Sequence, residues 1–307
     1  MTEDKFDNFE MELTRLGATL RDSHSLELPG IADSPEEIKP GQIWRARWDD
    51  VIALVFIDAL VGGIGNQVRV APVTFGDDEA DDSAAIMPAT TNTLDTVFTL
   101  WPELVTEIAE VVLEQWVATN DDVLSNLSDI ESAVASGALR HGYATVNPNG
   151  RRAKARRLLN LSIGVLANAA YLPEGTAKLG ELLRGKAPTA IATILAVDNS
   201  TALKIVRGTH LITREQAILI APIVDGSPDD VYAAGPALPD GLRSTLTRLS
   251  RGAPVREIAT RRNQSDSETL TALAQSGLAL AARGDTGPAP DWDGRVDRSI
   301  QMWLAES

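Results

Sequence analysis

The sequence predicts a multidomain α+β protein in which a small β-barrel precedes an all-helical half. Short runs rich in Val, Ile, Trp and Phe, separated by turn residues, fill residues 40–100. Helical spacing of apolar residues dominates from residue 151 onward. Between these regions, residues 137–150 combine Gly, Asn and Pro in turn sequences. We therefore expect a linker and the main domain boundary there.

Composition excludes several classes of protein. A chain of 307 residues with 44% hydrophobic and 23% charged residues is typical of globular proteins with two or three domains. No apolar run reaches the roughly 18 residues that span a bilayer, and the N-terminus is acidic, so we expect a cytoplasmic location and no membrane partner. Cysteine is absent and the three histidines lie far apart, so we expect neither a metal nor another cofactor.

Charge is distributed unevenly along the chain. Residues 1–150 hold 8 Lys and Arg against 27 Asp and Glu, a net charge of −19, whereas residues 151–307 hold 20 against 16, a net charge of +4. Salt screens charges beyond about 10 Å, so an acidic domain can coexist with a nucleic-acid-binding one. This asymmetry predicts that any DNA contact lies in the second half.

Residues 1–39 predict a short amphipathic helix, with apolar residues near helical spacing from Phe6 to Leu16, followed by a polar linker. Five strand-like runs follow: IWRARW, VIALVFID, QVRVAPVTF, AAIMP and LDTVFTLW. The next stretch, residues 102–136, fits a terminal helix, but its first half fits barrel strands equally well. The acidic loop at residues 76–83 is interpreted as a solvated loop, with a cation site as the alternative.

Two motifs in residues 40–130 resemble the MazF/PemK toxin family. The first is Pro40-Gly41-Gln42-Ile43-Trp44, and the second is Ala71-Pro72-Val73-Thr74. The resemblance implies an SH3-like barrel that cleaves RNA in many members, by means of an arginine that opens the second strand and a Thr or Ser at the position of Thr74. Here that strand opens Asp49-Asp50, and Arg45 is the runner-up cation. We interpret residues 40–136 as a non-catalytic acidic SH3-like barrel for dimerisation or sensing.

Residues 191–208, IATILAVDNSTALKIVRG, read as a helix, a three-residue turn and a second helix. Asp198 is a predicted N-cap of the second helix, whereas Leu203 suits the core. Thr213 with Gln216 predicts a capping box for the next helix, and Ser227 with Pro228 predicts the start of another. The outer face of the second helix carries Asn199, Ser200, Thr201, Lys204 and Arg207.

This segment resembles the lambda-repressor/Cro (XRE-like) helix-turn-helix domain. The matching residues are Ile191, Ala192, Leu195, Val197, Ser200, Thr201, Ile205 and Gly208, while Ala196 replaces the usual turn glycine. The resemblance implies a DNA-binding domain over residues 151–235 whose second helix lies in the major groove.

The segments RGKAPTAIAT and RGAPVREIAT, which begin at Arg184 and Arg251, echo each other. Laying Ile258 over Ile191 places Asn263 on Ala196, where asparagine tolerates a left-handed backbone. Residues 236–307 therefore predict a second helical domain. It is either a second helix-turn-helix over residues 241–283, with surface residues Arg256, Arg261 and Arg262, or a helical pair that packs on the first domain.

These observations favour a sequence-specific DNA-binding transcriptional regulator that is not an enzyme, acts on double-stranded DNA and forms a homodimer. The alternatives are an RNA-cleaving toxin-like barrel, with Thr74 and Arg45 at its site, fused to its own antitoxin-like DNA-binding domain, and a scaffold that binds no nucleic acid. The basic start of the helix at residue 151 is either a phosphate-contacting arm or a solvated helix end. The candidate DNA contacts are Asn199, Ser200, Thr201, Lys204, Arg207, Arg151, Arg152, Arg261 and Arg262.

Overall fold

The computed structural model describes residues 37–144, 147, 150–284 and 290–305. The predicted N-terminal helix therefore lies outside the described residues. The chain forms two compact units, of which the first contains residues up to Gly62 and Gln67–Ala169, and the second contains Gly63–Asn66 and Ala170 onward. The division at Ala169 differs from the boundary predicted at residues 137–150.

The first unit is built on an antiparallel sheet of eight strands in the order β7-β1-β2-β3-β5-β4-β8, and β6 also pairs with β3. All five strand-like runs of the sequence form strands, so the mixed α+β class is confirmed. The strands are β1 Gln42–Trp48, β2 Val51–Gly62, β3 Gln67–Phe75, β4 Ala85–Met87, β5 Phe98–Leu100, β6 Thr106–Ala109, β7 Leu113–Thr119 and β8 Arg140–His141.

Residues 102–136 divide between the two structures that their sequence allowed. Their first half forms β6, which pairs with β3, and β7, which pairs with β1. Their second half forms helix α1, Leu127–Ala135, whose N-cap Asn126 accepts a hydrogen bond from the Asp129 N–H. The first half is therefore part of the sheet, and its residues Ile108, Leu113 and Val117 are buried.

Buried polar side chains fix the entry to the sheet and the start of α1. The Gln42 Oε1 accepts hydrogen bonds from the Lys39 N–H and the Trp44 Nε1–H, both at 2.9 Å. The carboxylate of Asp58 on β2 accepts a hydrogen bond from the Leu127 N–H at 2.7 Å and forms an ion pair with Arg69. Buried polar groups are tolerated when they are paired in this way. The opening Pro-Gly-Gln-Ile-Trp motif therefore has a structural role.

Helix α2, Arg151–Asn168, belongs to the first unit because it contacts β1, β2 and β6. Its Leu159 packs against a small core that includes Ile86 and Trp101. The sequence prediction had placed this helix in the DNA-binding domain. Its residues Ile163 and Leu166 are buried, and the strands that it contacts belong to the first unit.

The second unit is helical throughout its regular structure. Its helices are α3 Leu179–Leu182, α4 Pro188–Leu195, α5 Asn199–Val206, α6 Arg214–Ile220, α7 Pro228–Ala233, α8 Asp240–Leu246, α9 Leu249–Arg262, α10 Asp266–Gly284 and α11 Trp292–Ala305. Two cap predictions are confirmed: Thr213 and Gln216 form the capping box of α6, and Ser227 caps α7, which has Pro228 in its first turn.

Apolar residues at helical spacing pack two groups of helices in this unit. Helices α3 to α7 share a core that contains Leu179, Ile191, Ile205, Ile220 and Val231. Helix α11 contacts α8, α9 and α10. No single described helix is long and apolar enough to cross a membrane; α4 and α5 together pass by length and composition, but a bend of 114° separates them.

Candidate nucleic-acid interface

Helices α4 and α5 form the first helical pair, residues 188–206, and a left-handed residue joins them. Ala196 has φ 51° and ψ 37°, and the Val197 N–H donates a hydrogen bond to the Ala192 carbonyl at 3.1 Å. The chain turns through 114° between the two helices. Alanine adopts this conformation at a cost that glycine avoids, so the turn needs support from packing.

Asp198 caps α5, as the sequence predicts. Its Oδ1 accepts a hydrogen bond from the Thr201 N–H at 3.0 Å, and its Oδ2 accepts one from the Thr201 hydroxyl at 2.6 Å. The Thr201 hydroxyl bond is the main cause that lowers the pKa of Asp198 below its usual value. The hydroxyl proton of Thr201 is therefore committed to the cap and is not available to a DNA base.

The end of α5 lies against α3 at a close crossing of two glycines. Gly208 has φ 69°, and a Cβ placed on it would lie 2.7 Å from the Gly180 backbone nitrogen. A Cβ on Gly180 would lie 2.9 Å from the Arg207 carbonyl oxygen. Neither backbone can yield as a flexible side chain would. The two glycines therefore fix the direction in which α5 projects.

The polar face of α5 consists of Asn199, Ser200, Lys204 and Arg207, all of which are exposed. Within the part of the chain that the structure describes, neither Lys204 nor Arg207 forms a salt bridge. Burial, with the nearby charge of Lys204, lowers the pKa of His210, so the positive charge near α5 at neutral pH comes from Lys and Arg. This face therefore offers two small polar side chains and two unneutralised cations.

The sequence prediction that Leu203 is a core residue is wrong. Its side chain is 36% exposed, while Ala202 and Ile205 fill the core from the opposite side of α5. Leu203 follows Ser200 by three positions and precedes Arg207 by four, and such residues share one helix face. That spacing was a sequence signal for exposure, and the apolar character of leucine masked it.

Helices α9 and α10 form the second helical pair, residues 249–284, with the same turn 67 residues further on. Asn263 has φ 53° and ψ 48°, and the Gln264 N–H donates to the Ala259 carbonyl at 2.9 Å. Ser265 occupies the cap position and accepts from the Glu268 N–H at 3.0 Å. The turn of the first pair is thus repeated residue for residue.

The second pair differs from the first in what surrounds its second helix. Leu270, the counterpart of Leu203, is 2% exposed. The Arg261 guanidinium donates to the Leu304 carbonyl at 3.0 Å, and the Arg262 guanidinium lies 4.2 Å from the centre of the Trp303 ring. Residues 266–282 contain two acidic residues and no basic one. These features favour the helical-pair interpretation over a second DNA-binding motif.

Two basic residues at the start of α2 form ion pairs with the acidic loop of their own unit. Arg151 pairs with Glu79 at 3.0 Å, and Arg156 pairs with Asp81 at 3.5 Å. The Arg152 guanidinium lies 4.6 Å from the centre of the Tyr143 ring. Arg151 and Arg152 are therefore engaged within their own unit, and the solvated helix end fits these contacts better than a phosphate-contacting arm.

Because α2 belongs to the first unit, its basic residues do not add to the charge of the second unit. Residues 170–307 hold 15 Lys and Arg against 16 Asp and Glu, a net charge of −1, so the second unit as a whole is not basic. Positive charge is local: residues 178–207 hold five Lys and Arg against two Asp and Glu, a net charge of +3. A second basic stretch, residues 243–262, holds six Arg against one Glu, a net charge of +5, but four of its arginines form ion pairs with acidic side chains.

The structure does not bring the runner-up catalytic residues together. Arg45 lies opposite Leu54, which lies opposite Val73, so Arg45 shares a sheet face with Val73 and not with its neighbour Thr74. The Arg45 Nε also pairs with the Glu114 carboxylate at 3.1 Å. A site that cleaves RNA needs its cation beside the reacting phosphate, and this arrangement does not supply one.

Among the residues that the structure describes, no group of three or more His, Asp or Glu side chains is placed to hold a metal ion. No family model matches the chain, and no curated protein or solved structure matches it either.

Proposed function

We propose that this chain is a sequence-specific DNA-binding transcriptional regulator, in which the first helical pair acts as a helix-turn-helix and α5 enters the major groove. The observation that carries the proposal is the exposed polar face of a capped helix set at 114° to its partner. Two helices at about 90–120° joined by a short turn are typical of this motif.

Each side chain of the polar face has a defined chemistry toward DNA. The amide of Asn199 can bind both N6 and N7 of adenine, and the hydroxyl of Ser200 can donate to or accept from a base edge. Lys204 and Arg207 lie further along α5 and suit contacts to phosphate. Asn199 and Ser200 would thus supply specificity, while Lys204 and Arg207 would supply affinity.

A single motif of this kind reads only a short half-site. Regulators of this class bind as dimers to two half-sites about one helical turn apart, so the proposal includes a homodimer. The first unit would then serve as a non-catalytic SH3-like module for dimerisation or sensing. Its net negative charge keeps its own surface away from phosphate.

Binding of the full chain to duplexes enriched from a random-sequence pool tests the proposal. Fluorescence anisotropy at several salt concentrations would give the affinity and its salt dependence. We expect Lys204→Ala and Arg207→Ala each to weaken binding about tenfold and to reduce the salt slope by about 1, because each would remove one phosphate contact. Asn199→Ala should instead relax the preference for one base pair, at a cost of about 1–3 kcal/mol.

Arg261→Ala is the matched control, because it removes one positive charge from the second helical pair. We expect its affinity for the enriched duplex to stay within about twofold of the unaltered chain, as Arg261 is engaged with Leu304 and Glu257. Failure to enrich any duplex at low salt would overturn the proposal. Equal losses from Arg261→Ala and Lys204→Ala would show that binding is not centred on α5.

A further inference from the structure

Leu203 is an apolar side chain within the otherwise polar exposed side of α5. It lies one turn from Asn199 and one turn from Arg207, and Lys204 follows it directly. Ala202 and Ile205 already give α5 a buried apolar stripe, and Val206 packs beside them. The fold of the first helical pair therefore does not require a leucine at position 203.

The second helical pair shows what this position does when it serves packing. Leu270 stands at the same distance from the left-handed turn residue and is buried, in a helix that contacts α8, α9 and α11. Helix α5 contacts α3 and α4 and leaves Leu203 open. The same residue type is thus covered in one pair and presented to solvent in the other.

The major groove of DNA displays one apolar group, the C5 methyl of thymine. Leu203 is flanked by an amide suited to a base edge and by cations suited to phosphates, so a helix seated by those groups would carry the leucine against the base edges. We infer that Leu203 contacts the C5 methyl of a thymine and is a specificity-determining residue. This inference rests on the proposed function, whose cations supply the complementary charge.

Deoxyuridine lacks only that methyl group and therefore gives a direct test. Each thymine of the enriched duplex would be replaced singly by deoxyuridine, and binding of the full chain would be measured for the unaltered sequence and for Leu203→Ala. For the unaltered chain we expect about a fourfold loss at one thymine, the affinity that burial of one methyl-sized group contributes. In Leu203→Ala that loss should disappear, and thymine and uracil should bind equally at that position.

Ile218→Ala is the matched control, because Ile218 is an exposed branched apolar residue on α6. It should keep the fourfold preference for thymine, and the circular dichroism and thermal unfolding of both variants should match the unaltered chain. The inference is overturned if a duplex is bound specifically but uracil is neutral at every position, or if Leu203→Ala stays sensitive at the same thymine. If no duplex is bound at all, the proposed function fails together with it.

Discussion

The two helical pairs of the second unit share a turn and differ in the use of the helix that follows it. In the first pair, α5 ends at the close crossing of Gly208, and its outer side stays open. In the second pair, α10 continues through the equivalent position, Gln275, and runs to Gly284. The turn geometry therefore comes from local caps and a left-handed residue, whereas the exposure of the second helix depends on where it ends and on what covers it.

The largest effect on stability is expected at Gly208, just beyond the end of α5. Gly208→Ala would place a methyl group against the Gly180 backbone at a left-handed position, so we expect a loss of about 3 kcal/mol in the free energy of unfolding. Urea unfolding followed by circular dichroism would measure it. Gly226→Ala is the control, because its new Cβ would meet only Val side chains at ordinary distances, and it should stay within about 1 kcal/mol. Equal stability of the two variants would contradict the role assigned to the glycine crossing.

The turn residues themselves should respond differently to glycine. Ala196→Gly relieves a left-handed alanine and is expected to raise the free energy of unfolding by about 0.5–1 kcal/mol. Asn263→Gly should change it by less than about 0.5 kcal/mol, since asparagine already tolerates that backbone. Thermal unfolding of both variants would compare the change in stability at the turn of the first helical pair with that at the turn of the second. A gain at Asn263 as large as that at Ala196 would contradict this prediction, because it would show that asparagine is as strained at its turn as alanine.

The smallest effect is expected at the N-caps of the two second helices, Asp198 and Ser265. The Thr201 hydroxyl bond lowers the pKa of Asp198, so this cap stabilises α5 above the unfolded pKa of about 3.8 and is lost as the pH falls through the lower folded value. Thr201→Val should move the pKa of Asp198 upward, toward its ordinary value, in an NMR titration of the carboxyl carbon. The hydroxyl of Ser265, the equivalent cap, does not titrate in this range. An unchanged pKa in Thr201→Val would refute the assigned cause.

Local signals predicted the parts of the fold that local chemistry determines. The caps at Asp198, Thr213 and Ser227 and the five strands up to Leu100 follow from residue type and spacing. The stretch that became β6 and β7 could not be decided from sequence, because its apolar spacing fits a helix as well as a strand. Pairing with β3 and β1, far away in the chain, decides it.

Tertiary contacts also explain what the sequence left undetermined at the candidate site. The pairing of Arg151 with Glu79 joins residues 72 positions apart, so this ion pair at the start of α2 was not visible in the sequence. The contact of the Arg262 guanidinium with the Trp303 ring likewise joins residues that are far apart in the sequence. In contrast, the exposed positions Asn199, Ser200, Lys204 and Arg207 followed from helical spacing alone.

The placement of α2 has a practical consequence for anyone who cuts this chain into fragments. A piece that begins at residue 151 would carry Arg151 and Arg156 without Glu79 and Asp81, and would bare Ile163 and Leu166 to water. Such a piece would attract any polyanion through charges that the intact chain neutralises, and its apolar side would favour aggregation. A cut at residue 170 leaves that helix with the strands it covers.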